Sequence, residues 1–127
     1  LYPWRNRVFG TLHWTRAMLG DAGPEALAEL DRAIESDRQT RDAWDEGTLL
    51  TLRGTLRARS EDAREAGLED FAAAADLFTT MGARPALVRT LRAWADVLDS
   101  ADREADAVER RAQADALAAE MGLDAAA

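Results

Sequence analysis

The 127-residue sequence contains no cysteine, no lysine, one histidine (His13) and only three prolines. Without cysteine there can be no disulfide, thiolate nucleophile or thiolate metal ligand, and a reducing, cytoplasmic setting is the expectation. A single imidazole leaves little for acid–base chemistry or a multi-histidine metal centre, and His13 reads as structural. No apolar run approaches the roughly 18 residues needed to span a bilayer, and the opening LYPWRNRVFG lacks the charged-then-apolar order of a signal peptide, so no membrane partner is expected. Every one of the sixteen basic residues is arginine, which in an alanine-rich chain reads first as base composition. The 24 acidic residues outweigh them, and a formal charge of −8 argues against a domain built to grip phosphates. No nucleic-acid partner is expected. The chain opens on Leu1 rather than methionine, which reads as a C-terminal fragment of a longer protein.

What is present is helix. Apolar residues recur at three- and four-residue spacing throughout, strand-like alternation is missing, and alanine, leucine, arginine and glutamate favour the helical state. Six helices are predicted: about Pro3 to Leu19, Pro24 to Arg38, Arg41 to Arg59, Ser60 to Met81, Arg84 to Asp99, and one capped by Ser100 or Asp102 that ends at Met121-Gly122. Ser60, followed by Glu61 and Asp62, reads as an N-cap, and Gly82 as a left-handed terminator. Short connections make the helices three antiparallel hairpins, at about 3–38, 41–81 and 84–121, in one domain over 1–127.

The second helices of these hairpins share a pattern. Ala26-x3-Leu30-x2-Ala33 becomes Gly67-x3-Phe71-x2-Ala74 and then Ala107-x3-Arg111-x2-Ala114, at steps of 41 and 40 residues. Small residues seven apart lie on one face and admit a close neighbour, while the large residue between them fills the adjoining gap. Gly82 and Gly122 then close equivalent helices. The pattern resembles the tetratricopeptide repeat, whose second helix carries Ala-x3-Phe followed by another alanine. The longer period is similar to that in C-terminal regions of bacterial LuxR-like signal-transducing regulators. The family's first-helix motif is matched only loosely, by Leu91, Trp94, Ala95 and Leu98. The resemblance implies an all-α solenoid of three hairpins acting as a non-catalytic protein-interaction or regulatory module. Arg111, where the earlier units have Leu30 and Phe71, reads as the polar face of a terminal repeat. At the other end Trp4, Val8 and Phe9 form an apolar surface suited to an upstream repeat or a homodimer.

Charge is divided between the layers. The three first helices sum to +5 and the three second helices to −11. In the family resembled, first helices line the concave groove. That implies Arg16, Arg53, Arg57, Arg89 and Arg92 as partner-binding residues for an acidic peptide, a terminal carboxylate or an acidic segment of the same polypeptide; the alternative is that they pair with the acidic helices. No metalloprotease, Walker or dinucleotide motif occurs, and no cofactor is expected. Glu61, Glu65 and Glu69, and likewise Asp102 and Asp106, read as solvated faces rather than cation sites. Trp14, Trp44 and Trp94 read as core, and Met18, Met81 and Met121 as gap fillers. Two rival readings remain: a structural dimerisation domain through Trp4, Val8 and Phe9, and a small-molecule sensor with a pocket bordered by Trp14 and Trp94.

Overall fold

The structure, a computed structural model, describes residues 24–122. The first predicted helix, with Trp4, Val8, Phe9, His13, Trp14, Arg16 and Met18, lies outside the described residues, as does the tail after Gly122. Within them the apolar spacing becomes five α-helices and no strand: α1 Pro24–Thr40, α2 Ala43–Arg57, α3 Arg64–Met81, α4 Arg84–Ser100 and α5 Glu104–Glu120, with a 3-10 turn at Glu61–Ala63 leading into α3. Pro24 opens α1, where its missing N–H costs nothing. Each of the five corresponds to a predicted helix.

The helix ends explain where the boundaries differ. After α1, α3 and α4 the chain makes the same paired hydrogen bonds: Asp42 N to Asp37 O at 2.9 Å with Arg41 N to Arg38 O at 3.4 Å, Ala83 N to Phe78 O at 3.0 Å with Gly82 N to Thr79 O at 3.2 Å, and Arg103 N to Leu98 O at 2.9 Å with Asp102 N to Asp99 O at 3.2 Å. This is the Schellman closure, which satisfies terminal carbonyls through one left-handed residue. Gly82 takes that place as expected, with φ 70°, but Arg41 at 59° and Asp102 at 57° hold it elsewhere. Arg41 therefore ends α1 rather than beginning α2. Asp42 caps α2 instead, its Oδ1 accepting from Asp45 N at 3.2 Å. Ser60 precedes the 3-10 turn but makes no side-chain cap, and neither Ser100 nor Asp102 caps α5, whose N-cap position is Arg103.

The helices pack by neighbours. α2 lies most extensively on α3 and α4 on α5, α1 packs on α2 and α3 on α4, and the two first helices α2 and α4 also touch, through a 3.0 Å hydrogen bond between Thr51 Oγ1 and Thr90 Oγ1. The repeated small residues face inward: Ala26, Ala33, Gly67, Ala74, Ala107 and Ala114 are all buried, as are Leu30 and Phe71 between them. Arg111 is the exception, its side chain 40% exposed and paired with Asp99 at 2.6 Å and Asp96 at 3.1 Å on α4. Hydrogen bonds to Asp99 and Asp96 raise its pKa above the ordinary guanidinium value.

Glycine sets the spacing of the α2–α3 pair. A β-carbon at Gly54 would lie 2.8 Å from Gly67 O, and one at Gly67 would lie 2.7 Å from Gly54 O. The two backbones thus approach more closely than any side chain allows. Two turns away along α2, the Phe78 ring occupies the space beside Gly47, where a β-carbon would come within 2.7 Å of it. Phe71 and Phe78 are consequently among the largest fully buried side chains, each contributing about 1.5–3 kcal/mol through burial.

Candidate functional site

The chain treats the space beside α2, between α1 and α3, differently from the space beside α4, between α3 and α5. In the first, between α1 and α3, Arg53 rises from α2. Its Nε donates to Asp70 Oδ2 at 3.1 Å and its Nη2 to Asp70 Oδ1 at 2.9 Å, while Nη1 donates to Asp31 Oδ1 on α1 at 2.7 Å. Arg57, one turn later, donates through Nη1 to the same Asp70 Oδ2 at 3.0 Å. Asp70 is buried, and two guanidinium forks satisfy its oxygens. Burial opposes the charge on Arg53, but the hydrogen bonds to Asp70 and Asp31 outweigh it, leaving the pKa above its ordinary value. This groove is filled by the chain's own side chains.

The second groove lies one unit later, between α3 and α5 with α4 as its floor. With α2 and α4 aligned from their starts at Ala43 and Arg84, Trp94 stands in place of Arg53, and the repeat steps of the second helices put Ala72 in place of Asp31 and Arg110 in place of Asp70. The polar bridge cannot form. Trp94 stacks on Phe71 with ring centroids 6.4 Å apart and planes 8° from parallel, and the Arg110 guanidinium covers the indole at 4.4 Å. Arg110 is held there by donating through Nη1 to Gln113 Oε1 at 2.8 Å. Beyond this stack the groove remains open, with a volume of about 460 Å³ bordered by Ala75, Asp76, Leu87, Leu91, Ala116 and Leu117. Trp94 is half-buried against the core, as expected, and it also borders the open groove, where Phe71 and Arg110 already contact its rings.

Four of the five arginines assigned to one binding face are described, and three of those four pair with acidic side chains of this chain. Arg16 lies outside the described residues. Arg53 and Arg57 sit in the Asp70 network, Arg92 is 3.7 Å from Asp115, and Arg89 stands exposed on α4 with no ion pair to another described residue. Trp44 is not core: it is 39% exposed in the first turn of α2, where the matching position of α4 is Pro85, also exposed. Met121 packs against the core as predicted, whereas Met81 is exposed.

One acidic group was missed. Oxygens of Asp37, Asp42 and Asp45 lie within 4.8 Å of one another at the α1–α2 junction, a spacing that could hold a cation. Asp37 and Asp45 are buried because they stand at slots that Phe78 and Ala86 fill one unit later. All three residues also have interactions within the chain. The sequence signal available was their apolar register, which an acidic residue type conceals. The sets considered from sequence are different: Glu61, Glu65, Glu69, Asp102 and Asp106 are all exposed. No helix among the described residues is long and apolar enough to cross a membrane. Comparison with protein-family models, curated proteins and solved structures produced no match.

Proposed function

We propose that this chain is a non-catalytic protein-interaction or regulatory module: a tetratricopeptide-like α-solenoid of stacked hairpins, working in the cytoplasm as part of a larger bacterial protein. What supports the reading is the contrast between the space beside α2, plugged by Arg53 and Arg57, and the space beside α4, left open over Leu87, Leu91 and Leu117. Packing of each helix on its sequence neighbour, the added contact between α2 and α4, and inward-facing small residues are the packing such an array requires. The open groove between α3 and α5, rather than a row of arginines on first helices, is the surface we assign to the partner.

Filling the groove tests this. Ala116 is exposed and borders it, so Ala116→Trp should occupy the space while leaving the helical circular dichroism and melting temperature unchanged. Panning the folded chain against a displayed random-peptide library should enrich ligands that the Ala116→Trp chain no longer retains. Equal retention by both chains would overturn the assignment.

A further inference from the structure

The groove between α3 and α5 is apolar at its floor and acidic at its rim, and the two properties together specify an occupant. On α3, Asp76 borders the opening and Glu69, seven residues earlier, lies on the same helix face. On α5, Asp106 precedes Arg110 by one turn and Glu120 follows Ala116 by one turn, so both flank the groove on the opposite wall. All four carboxylates are exposed. Glu69, Asp76 and Asp106 have no ion pair with another described residue, and Glu120 has only a 3.9 Å approach from Arg84. Among the described residues lining the groove the one cation is Arg110, whose guanidinium lies over Trp94 and donates to Gln113, so its charge is drawn toward the floor.

The neighbouring groove shows how the chain itself satisfies such a setting. There a guanidinium reaches between second helices and meets carboxylates from both, Asp31 on α1 and Asp70 on α3. In the α3–α5 groove neither half of that bridge remains: Trp94 stands in place of the guanidinium and Ala72 and Arg110 in place of the carboxylates, so the exposed rim carboxylates face an opening that no internal bridge crosses.

We infer that the groove receives a basic segment of a partner protein, with one aliphatic side chain seated against Leu87, Leu91 and Leu117 and flanking arginine or lysine side chains paired with Glu69, Asp76, Asp106 and Glu120. This rests on the interaction-module reading and adds the chemistry of its ligand. The overall formal charge of −8 favours the same partner at longer range by steering a cationic segment toward the surface.

The experiment takes the groove-dependent peptides from the panning, synthesises them with a fluorescent label, and titrates them by anisotropy against the wild-type chain and against Glu69→Arg/Asp76→Arg. The expected peptides carry net positive charge around an aliphatic residue. Their affinity should fall at least tenfold in the double variant, and it should weaken steadily between low and high salt. Groove-dependent peptides that are acidic or uncharged, or that bind the double variant equally well, would overturn the basic occupant while leaving the module reading standing. An absence of groove-dependent peptides would overturn both. Circular dichroism of the double variant verifies that its fold is intact, and Asp76→Asn supplies a milder change expected to weaken binding in the same direction.

Discussion

Arg41 is a bulky residue in a conformation suited to glycine, and its cause lies in the chain on either side. Asp42 must leave α1 at an angle that lets its carboxylate cap α2, and the closure that permits this needs one left-handed residue between them. Gly82 meets the same need without a β-carbon to accommodate. The strain at Arg41 should amount to about 1 kcal/mol, so Arg41→Gly is expected to stabilise the fold by a few tenths to 1 kcal/mol in urea denaturation, although glycine ordinarily weakens a chain. Neither this nor Asp102 was legible in the sequence. The residue types gave no sign, because an arginine or aspartate is forced into that region only by the elements it joins. Ser60 misled for a related reason. Ser-Glu-Asp has the composition of a helix start, yet the chain spends those residues on a 3-10 turn and starts α3 at Arg64.

The small-large-small spacing in the second helices was readable because the large residues announce the buried face. Leu30 and Phe71 are inaccessible, and the alanines flanking them fall where the spacing requires. The glycines of α2 were not readable in this way. Within a helix a glycine normally signals weakness, and only the partner helix reveals that Gly54 and Gly67 sit opposite each other. Gly54→Ala makes the point measurable. Propensity alone would stabilise α2 by about 1 kcal/mol, but the added methyl meets the Gly67 carbonyl, which belongs to a helix backbone and cannot rotate aside. Overpacking should win, with a net loss of about 2 kcal/mol in chemical denaturation. A stabilised variant would show that the two helices can separate at little cost.

Across the whole molecule, the candidate site was legible in part. Charge separation between first and second helices was visible in the sequence, as was the option that arginines would pair with acidic neighbours, and Arg53 and Arg57 do so. Hidden from it was the consequence of having Trp94 where α2 has Arg53, because only the packed helices show that one position bridges Asp31 and Asp70 while the other lies beside an open groove. The Asp70 network ties α1, α2 and α3 together and should be felt in the stability of the entire stack. Asp70→Leu would strand the half-buried Arg53 and Arg57 without their shared carboxylate and should cost about 2–3 kcal/mol in a urea melt. Combining it with Arg53→Met should recover part of that loss, since one stranded guanidinium is removed while Arg57 keeps only Asp31, 3.9 Å away. If the double variant is no better than the single one, the network is contributing more than charge compensation.

Trp94, in contact with a phenyl ring and a guanidinium at the edge of an open groove, also gives the protein a built-in optical reporter. Indole emission responds to nearby cations and to the exclusion of solvent. With Trp4, Trp14 and Trp44 changed to phenylalanine, a shift in the remaining fluorescence would register a guest arriving beside Arg110 without any attached dye, and the rate of that shift would time its arrival.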